Sequence, residues 1–375
     1  MKTVDLGDRT VPAVGQGTGG VGGLFERVDD DEAEMVRLLQ LGCDLGLTVI
    51  DTAEVYGGGY AEELVGKAVA GARDKAVIVS KFSPEHSRAD AVIAAADASL
   101  KRLGTDYLDV YMPHWPNPKT PLSETVEAMD RLVQAGKVRY AGMSNFQIAD
   151  ARATITQLRH GRLVCLENEY SLLERSIEAE ILPFCAQEGL ALIAYSPYCG
   201  GKLFERNART EPLFEMAADH GATVGQLALA WLLRSGAVLA IPKASTERKV
   251  RENAAVLSLA VPQTDLDRLS VLFAPQVELV PIDAIDVPDA DDGRHVYKTL
   301  EEALENRLGM SPSPRELSEE IRAQGTLQKP IKLRYDSASG RYLLLEGRLK
   351  YWGWVIGYGG ARPIPALVET GASPN

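Results

Sequence analysis

The chain has 375 residues, 45% of them hydrophobic, which is enough for a large core and for more than one ordinary domain. Its 52 acidic and 40 basic side chains leave a net charge of −12, which argues against partners such as nucleic acid or an anionic membrane. The four cysteines (Cys43, Cys165, Cys185 and Cys199) lack CxxC spacing, no stretch nears the roughly 18 apolar residues of a membrane span, and the opening MKTVDLGDRT has no apolar leader core, so free thiols in a soluble cytoplasmic protein are expected.

In chain order, β-rich runs fall at 14–18, 48–53, 76–82, 108–115, 138–145, 163–170, 191–197 and 237–244. Helix-periodic stretches such as DEAEMVRLLQLGCDLG, RADAVIAAADASLKRLG and SETVEAMDRLVQAGK separate them. Parallel neighbours need crossover helices, and eight strand–helix units over roughly 250 residues is the count of a (β/α)8 TIM barrel. A doubly wound open sheet is the rival. It is disfavoured because the glycines of GQGTGGVGG do not open directly into a helix, and no acid follows about 20 residues on in the expected setting. The barrel is assigned to residues 1–276.

Composition then shifts. Prolines and aspartates over 277–292 read as a linker, and residues 293–375 read as a small α+β unit: helices EEALENRLG and RELSEEIRAQG, strands PIKLRYD and RYLLLEG, helix LKYWGWVIG and a last extended run RPIPALVE.

Asp51, Tyr56, Lys81 and His114 follow or end three of the apolar strand runs, where nothing in an apolar strand demands an acid, a phenol, an amine or an imidazole. In a barrel of parallel strands these ends share one rim. Carbonyl reduction needs a hydride donor, a proton donor and a group to polarise the oxygen. A tyrosine is a poor acid, with a reference pKa of about 10, and a neighbouring ammonium favours its phenolate. Lys81 is therefore expected to make Tyr56 more acidic, Asp51 to hold Lys81, and His114 to donate to the substrate oxygen. No metal motif is present.

Residues 1 to about 275 resemble the aldo-keto reductase superfamily through GQGTGG, DTAEVYGGGYAEELVGKA, VSKF, DVYMPHWPNP, GKVRYAGMSNF, NEYSLLER, AYSP and IPKASTERKVREN. The resemblance implies NADPH-dependent reduction of an aldehyde or ketone, with Asp51, Tyr56, Lys81 and His114 in the four catalytic positions and Tyr56 as proton donor. It places Ser144, Asn145, Glu167, Tyr195 and Ser196 around the nicotinamide of NADP(H). Lys243, Ser245 and Lys249 fall at its 2′-phosphate, and Glu252 and Asn253 at its adenine. Lys249 stands where arginine is common, a point charge in place of a planar fork. Trp115 and Tyr198 belong to the expected substrate pocket, which suits a sugar-, nucleoside- or aromatic-like carbonyl. Glu167 departs from the family's usual glutamine. An ionised carboxylate cannot donate a hydrogen bond, and its charge is expected to favour the cationic, oxidised cofactor.

Residues from about 280 to 370 resemble the ParB/sulfiredoxin-like fold through RELSEEIRAQGTLQKPIKLR, RYLLLEGRLKYWGW and RPIPALV. The resemblance places a nucleotide or phosphate at Gly347, Arg348 and Lys350, where a helix start and cations favour an anion. The unit has no cysteine, which argues against sulfiredoxin activity. Its 13 acids and 12 bases from Asp286 onward give no footprint for DNA. Two functions remain open at this stage: a reductase acting on a small-molecule carbonyl or alcohol, or an NADP(H)-binding regulatory or sensor protein with a nucleotide-binding C-terminal module.

Overall fold

The computed structural model describes residues 1–28, 31–275, 277–288, 297–310, 312–327, 330–336 and 338–370. It divides into two units, Met1–Phe273 and Ala274–Asn375.

The first unit is built on an eight-stranded sheet, all parallel and in sequence order. Its strands are β1 (Gln16–Gly17), β2 (Val49–Asp51), β3 (Val77–Phe82), β4 (Leu108–Pro113), β5 (Val138–Ser144), β6 (Leu163–Glu169), β7 (Ala191–Tyr195) and β8 (Val238–Ala240). Every residue of β2, β3 and β4 is buried, which is why these strands read as continuous apolar runs rather than as alternating ones. The sheet closes on itself. Val14 bridges Ala240 in parallel, the Gly15 amide donates to the Ala240 carbonyl at 2.8 Å, and the Ala240 amide donates to the Ala13 carbonyl at 2.9 Å. The crossover helices are α1 (Glu32–Asp44), α2 (Tyr60–Val69), α3 (Ala89–Leu103), α4 (Leu122–Gln134), α5 (Ile148–Gln157) and α6 (Ile181–Glu188), then α7 (Glu211–Asp219) and α8 (Val224–Leu232) before β8. Helices α9 (Glu247–Ala255) and α10 (Gln263–Leu272) complete the unit.

An N-terminal hairpin, Thr3–Leu6 with Arg9–Pro12, was not expected from the sequence. Its Val4, Leu6 and Val11 join the inward residues Val49, Val77, Val110, Ile193 and Leu239 in one cluster. Arg9 also reaches Asp109, near the start of β4, at 3.0 Å. The hairpin therefore plugs the end of the barrel where the strands begin and leaves the other end for chemistry.

The second unit has its own core. Strands β9 (Val277–Val280), β10 (Ile285–Asp286), β11 (Ile331–Asp336), β12 (Arg341–Glu346) and β13 (Ile364–Thr370) form a mixed sheet in the order β9-β13-β11-β12-β10. It is accompanied by α11 (Leu300–Leu304), α12 (Pro314–Gln324) and α13 (Arg348–Tyr358). Ile321, Ile331, Leu333, Leu344, Trp352, Trp354 and Ile364 pack together. Both tryptophans of YWGW are spent on this packing: their indole N–H groups donate to the Tyr297 and Arg362 carbonyls at 3.0 Å each.

The reading of 277–292 as a linker is corrected in its first part. Residues 277–280 pair antiparallel with β13, and residues 285–286 pair with β12. Val280 and Ile285 are buried in the small core, and the Arg341 guanidinium grips both oxygens of Asp286 at 2.6–2.9 Å. Pairing and burial outweigh a loop-like composition. The aspartate-rich residues 289–292 lie outside the described residues. Among the described residues, no helix is long and apolar enough to cross a membrane.

The closing seam also needs a bare backbone at Gly17. A Cβ on Gly17 would lie 2.5 Å from the Ile241 carbonyl oxygen, so strand β1 meets the residues after β8 only because Gly17 has no side chain. Gly17→Ala is expected to lower unfolding free energy by about 1–3 kcal/mol in urea titration, as overpacked sites do. Unchanged stability would show that the strands tolerate a wider seam.

Candidate active site

The site gathers at the C-terminal ends of β2 to β7. Asp51 closes β2, Lys81 is the fifth residue of β3, His114 follows β4, and Ser144 closes β5. Glu167 lies within β6, paired in register with Ser144, and Tyr195 ends β7. Tyr56 comes from the loop after β2, where Gly57, Gly58 and Gly59 hold left-handed φ of 57°, 61° and 96°. A Cβ on Gly57 would sit 2.4 Å from the Gly22 carbonyl, so the Tyr56 loop lies directly against the glycine-rich loop after β1. Three consecutive glycines are required here because ordinary residues avoid that φ.

Lys81 is 0% exposed. Its Nζ donates to both Asp51 oxygens at 2.7 and 2.6 Å and to the Thr52 carbonyl at 3.0 Å, and lies 3.3 Å from Glu167 Oε1. Burial alone would strip the proton from such an amine. The charges of Asp51 and Glu167 outweigh it, and the Lys81 pKa moves up. Tyr56 Oη lies 3.4 Å from His114 Nε2, and the Tyr56 ring centroid is 5.6 Å from Lys81 Nζ. All four residues named from the sequence therefore meet in one place.

One detail differs from expectation, and the sequence had left a second, the charge of His114, open. Burial pushes the Tyr56 phenol up to about 12, with Lys81 pulling it down and Asp51 and Glu167 pushing it further up. The ammonium therefore limits the rise without making the phenol more acidic than free tyrosine, because desolvation of the phenolate is the larger effect. His114 is held neutral: burial, reinforced by the Lys81 charge, lowers its pKa to about 2. Its Nδ1 is buried, and among the described residues no partner reaches it.

Glu167 is 2% exposed and belongs to the Lys81 cluster. Burial and the Asp51 charge raise its pKa well above the usual carboxylate range against the pull of Lys81. Beside it, Asn145 adopts a left-handed φ of 65°. Its amide donates to the His114 carbonyl at 3.1 Å and to Ser144 Oγ at 3.0 Å, and its Oδ1 accepts from the Tyr195 hydroxyl at 2.9 Å. The Asn145 backbone N–H donates to the Glu167 carbonyl at 2.9 Å. This lattice holds the Tyr195 ring in a fixed orientation, as a stacking platform for a flat heterocycle requires. Ser196, next in the chain, is exposed at φ 48°.

Trp115 stacks on His114 with ring centroids 3.9 Å apart and leaves 42% of its surface exposed at the mouth of the barrel. Tyr198 packs on Phe204 and donates to Asn253 Oδ1 at 2.9 Å, so it and Asn253 tie the loop after β7 to α9. Lys243, Ser245 and Lys249 are exposed around the start of α9, which Thr246 caps. Lys243 Nζ would lie 3.1 Å from a Cβ on Gly20. Two exposed ammoniums, a hydroxyl and a helix start beside a glycine loop fit the phosphate end of a dinucleotide. Glu252 pairs with Arg248. In the second unit, Gly347 precedes α13 at φ 93°, and Arg348 Nη1 donates to the Pro288 carbonyl at 2.7 Å.

Sequence reasoning missed Glu54. Its Oε1 accepts from the Ser83 amide at 2.6 Å and pairs with His86 Nδ1 at 2.7 Å, clamping the loop that carries Tyr56 to the loop after Lys81. An acid two residues before Tyr56 was the available signal.

Comparison with known proteins agrees with this geometry. The model of the Aldo/keto reductase family matches residues 13–272. Methylglyoxal reductase YeaE of Escherichia coli (strain K12) is 41% identical over 270 residues, covering 71% of this chain and 93% of that protein. A glyoxal reductase of Bacillus subtilis (strain 168) is 34% identical over 253 residues, covering 67% of this chain and 87% of the relative. A crystal structure of an aldo/keto reductase from Klebsiella pneumoniae in complex with NADP and acetate superposes with a TM-score of 0.67 at 41% identity, over 73% of this chain and 96% of that one. On the barrel, the cluster around Lys81 and these matches together, the chain belongs to the aldo/keto reductase family.

Proposed function

We propose that this protein is an NADP(H)-dependent reductase that converts an aldehyde or ketone group of a small molecule to an alcohol, with Tyr56 as proton donor. The observation that carries the reading is the meeting of Tyr56, Lys81 and His114 around a fully buried ammonium at the open end of the barrel. When bound, NADPH supplies the hydride. The remaining work falls to the chain's own groups. Neutral His114 orients the carbonyl oxygen, and Tyr56 Oη gives that oxygen its proton. The Lys81 ammonium, kept charged by Asp51, stabilises the phenolate left behind. Ser144, Asn145 and Tyr195 are assigned to the nicotinamide, and Lys243, Ser245 and Lys249 to the 2′-phosphate.

Two of its relatives are named for methylglyoxal and glyoxal, so small dicarbonyls head the substrate panel, with sugar- and nucleoside-like carbonyls after them. The four free cysteines fit a reducing, cytoplasmic setting. For the second unit, the ParB/sulfiredoxin-like reading rests on Gly347 and the start of α13. ATP or inorganic phosphate titrated against the protein and its Lys350→Ala variant tests it; no binding removes a nucleotide from that turn.

Tyr56→Phe is expected to lower kcat by about 10²–10⁴-fold, the usual worth of general acid help, with NADPH binding retained. Retained turnover would remove Tyr56 from the chemistry, and cofactor binding without turnover by the unaltered protein on any carbonyl would favour the sensor reading. The tetrad lies wholly in the first unit, so a chain ending at Phe273 is expected to keep reducing the preferred substrate; loss of activity in that folded fragment would give the second unit a share in the site.

His114 also has a stability signature. Its folded pKa near 2 lies below the unfolded value of 6.5, so the unfolded chain gains a proton that the folded chain refuses. Its contribution is full above the unfolded pKa and is lost as pH falls from there toward the folded value, by about 1.4 kcal/mol per pH unit. His114→Phe is expected to flatten the acid limb of stability against pH by that slope in denaturant titrations; an unchanged limb would mean that His114 accepts a proton in the fold.

A further inference from the structure

Glu167 is the one titratable member of the cluster that the mechanism above leaves unused. The cluster holds two carboxyls and one ammonium, all nearly sealed from water. Lys81 Nζ favours Asp51, at 2.6 and 2.7 Å, over Glu167 Oε1 at 3.3 Å. Glu167 Oε2 is buried, and among the described residues no donor reaches it. A buried carboxylate oxygen without a donor is costly, whereas a protonated carboxyl becomes a donor itself. Burial and the Asp51 charge both raise the Glu167 pKa against the pull of Lys81, the direction that keeps a proton on Glu167. The titratable groups facing it are Asp51 on β2, Lys81 on β3, Tyr56 on the loop after β2, Tyr195 on β7 and Cys165 on its own strand.

Charge counting then gives this proton a function. With Glu167 protonated, Asp51 and Lys81 cancel and the cluster is neutral. The oxidised nicotinamide ring adds one positive charge, which a dry site tolerates poorly, whereas the reduced ring adds none. We propose that Glu167 carries a proton in the cofactor-free and NADPH-bound enzyme and releases it to solvent when NADP+ binds, so that the Glu167 carboxylate balances the cationic ring. This inference rests on the reading of the site as an NADP(H) site. It replaces a permanent negative charge at Glu167 with one that appears only beside the oxidised cofactor. A glutamine at this position has no proton to release.

The test is calorimetric titration of NADP+ and of NADPH in buffers of different ionisation enthalpy across a pH series. NADP+ is expected to release up to about one proton more than NADPH, and its affinity relative to NADPH to rise by about tenfold per pH unit while Glu167 is protonated in the free enzyme. Using the difference between the cofactors cancels the titration of the 2′-phosphate they share. Glu167→Gln is expected to abolish the difference while still binding NADPH, and Tyr56→Phe to keep it. Infrared difference spectra of the unaltered protein are expected to lose a protonated-carboxyl band on NADP+ binding, a readout that needs no variant to fold. Equal proton release with both cofactors, a difference that survives Glu167→Gln or disappears in Tyr56→Phe, or a carboxyl band that persists would overturn the proposal. Failure of both cofactors to bind would instead overturn the reading beneath it.

Discussion

One buried ammonium organises the functional end of this protein. Lys81 has no access to water and donates its hydrogen bonds to Asp51 and Thr52, with Glu167 as a second acid neighbour. An unpaired lysine there would lose its proton or its place, so the acid at the end of β2 and the amine in β3 stand or fall together. Their pairing fixes the potential felt by Tyr56 and His114. The Lys81 charge adds to burial in holding the imidazole neutral, and it keeps the phenol from rising as far as burial would otherwise drive it.

The barrel makes this arrangement affordable in structural terms. Parallel strands in sequence order bring residues that are far apart in the chain to adjacent positions on one rim. The hairpin at the opposite end, with Val4, Leu6 and Val11 set against the inward valines, packs the interior so that the cluster rests on a dry floor. Two further ties align the loops. Glu54 clamps the Tyr56 loop to the loop after β3, and Asn145 binds His114, Ser144 and Tyr195 into one platform. A group delivered to such a site meets donors already in place, which is the condition for electrostatic stabilisation without reorganisation.

Much of this was legible beforehand for a specific reason. Strands buried on both faces leave long apolar runs, and a polar residue closing such a run has no packing purpose, so Asp51, Lys81 and His114 stood out against Val49, Val77 and Val110. Elements with weak patterns were harder. The hairpin TVDL/RTVP is too short and mixed to announce itself. Residues 277–280 and 285–286 have a linker's composition but become strands because β13 and β12 offer them hydrogen-bonding edges. Glu54 stands two residues before Tyr56, but the clamp it makes was hidden because its partners, Ser83 and His86, are about thirty positions away.

Residue order alone determined the eight-unit repeat, the four residues that meet around Lys81 and the glycines of the Tyr56 turn, because each depends on local pattern or on which strand end a residue occupies. Only the tertiary structure decided the protonation of the site. Whether Lys81 acidifies Tyr56, whether His114 is charged and whether Glu167 is an ion all depend on how far water is excluded and how many charges share the space. Desolvation and Coulomb attraction oppose each other here, and the distances that settle the balance arise only when the barrel closes.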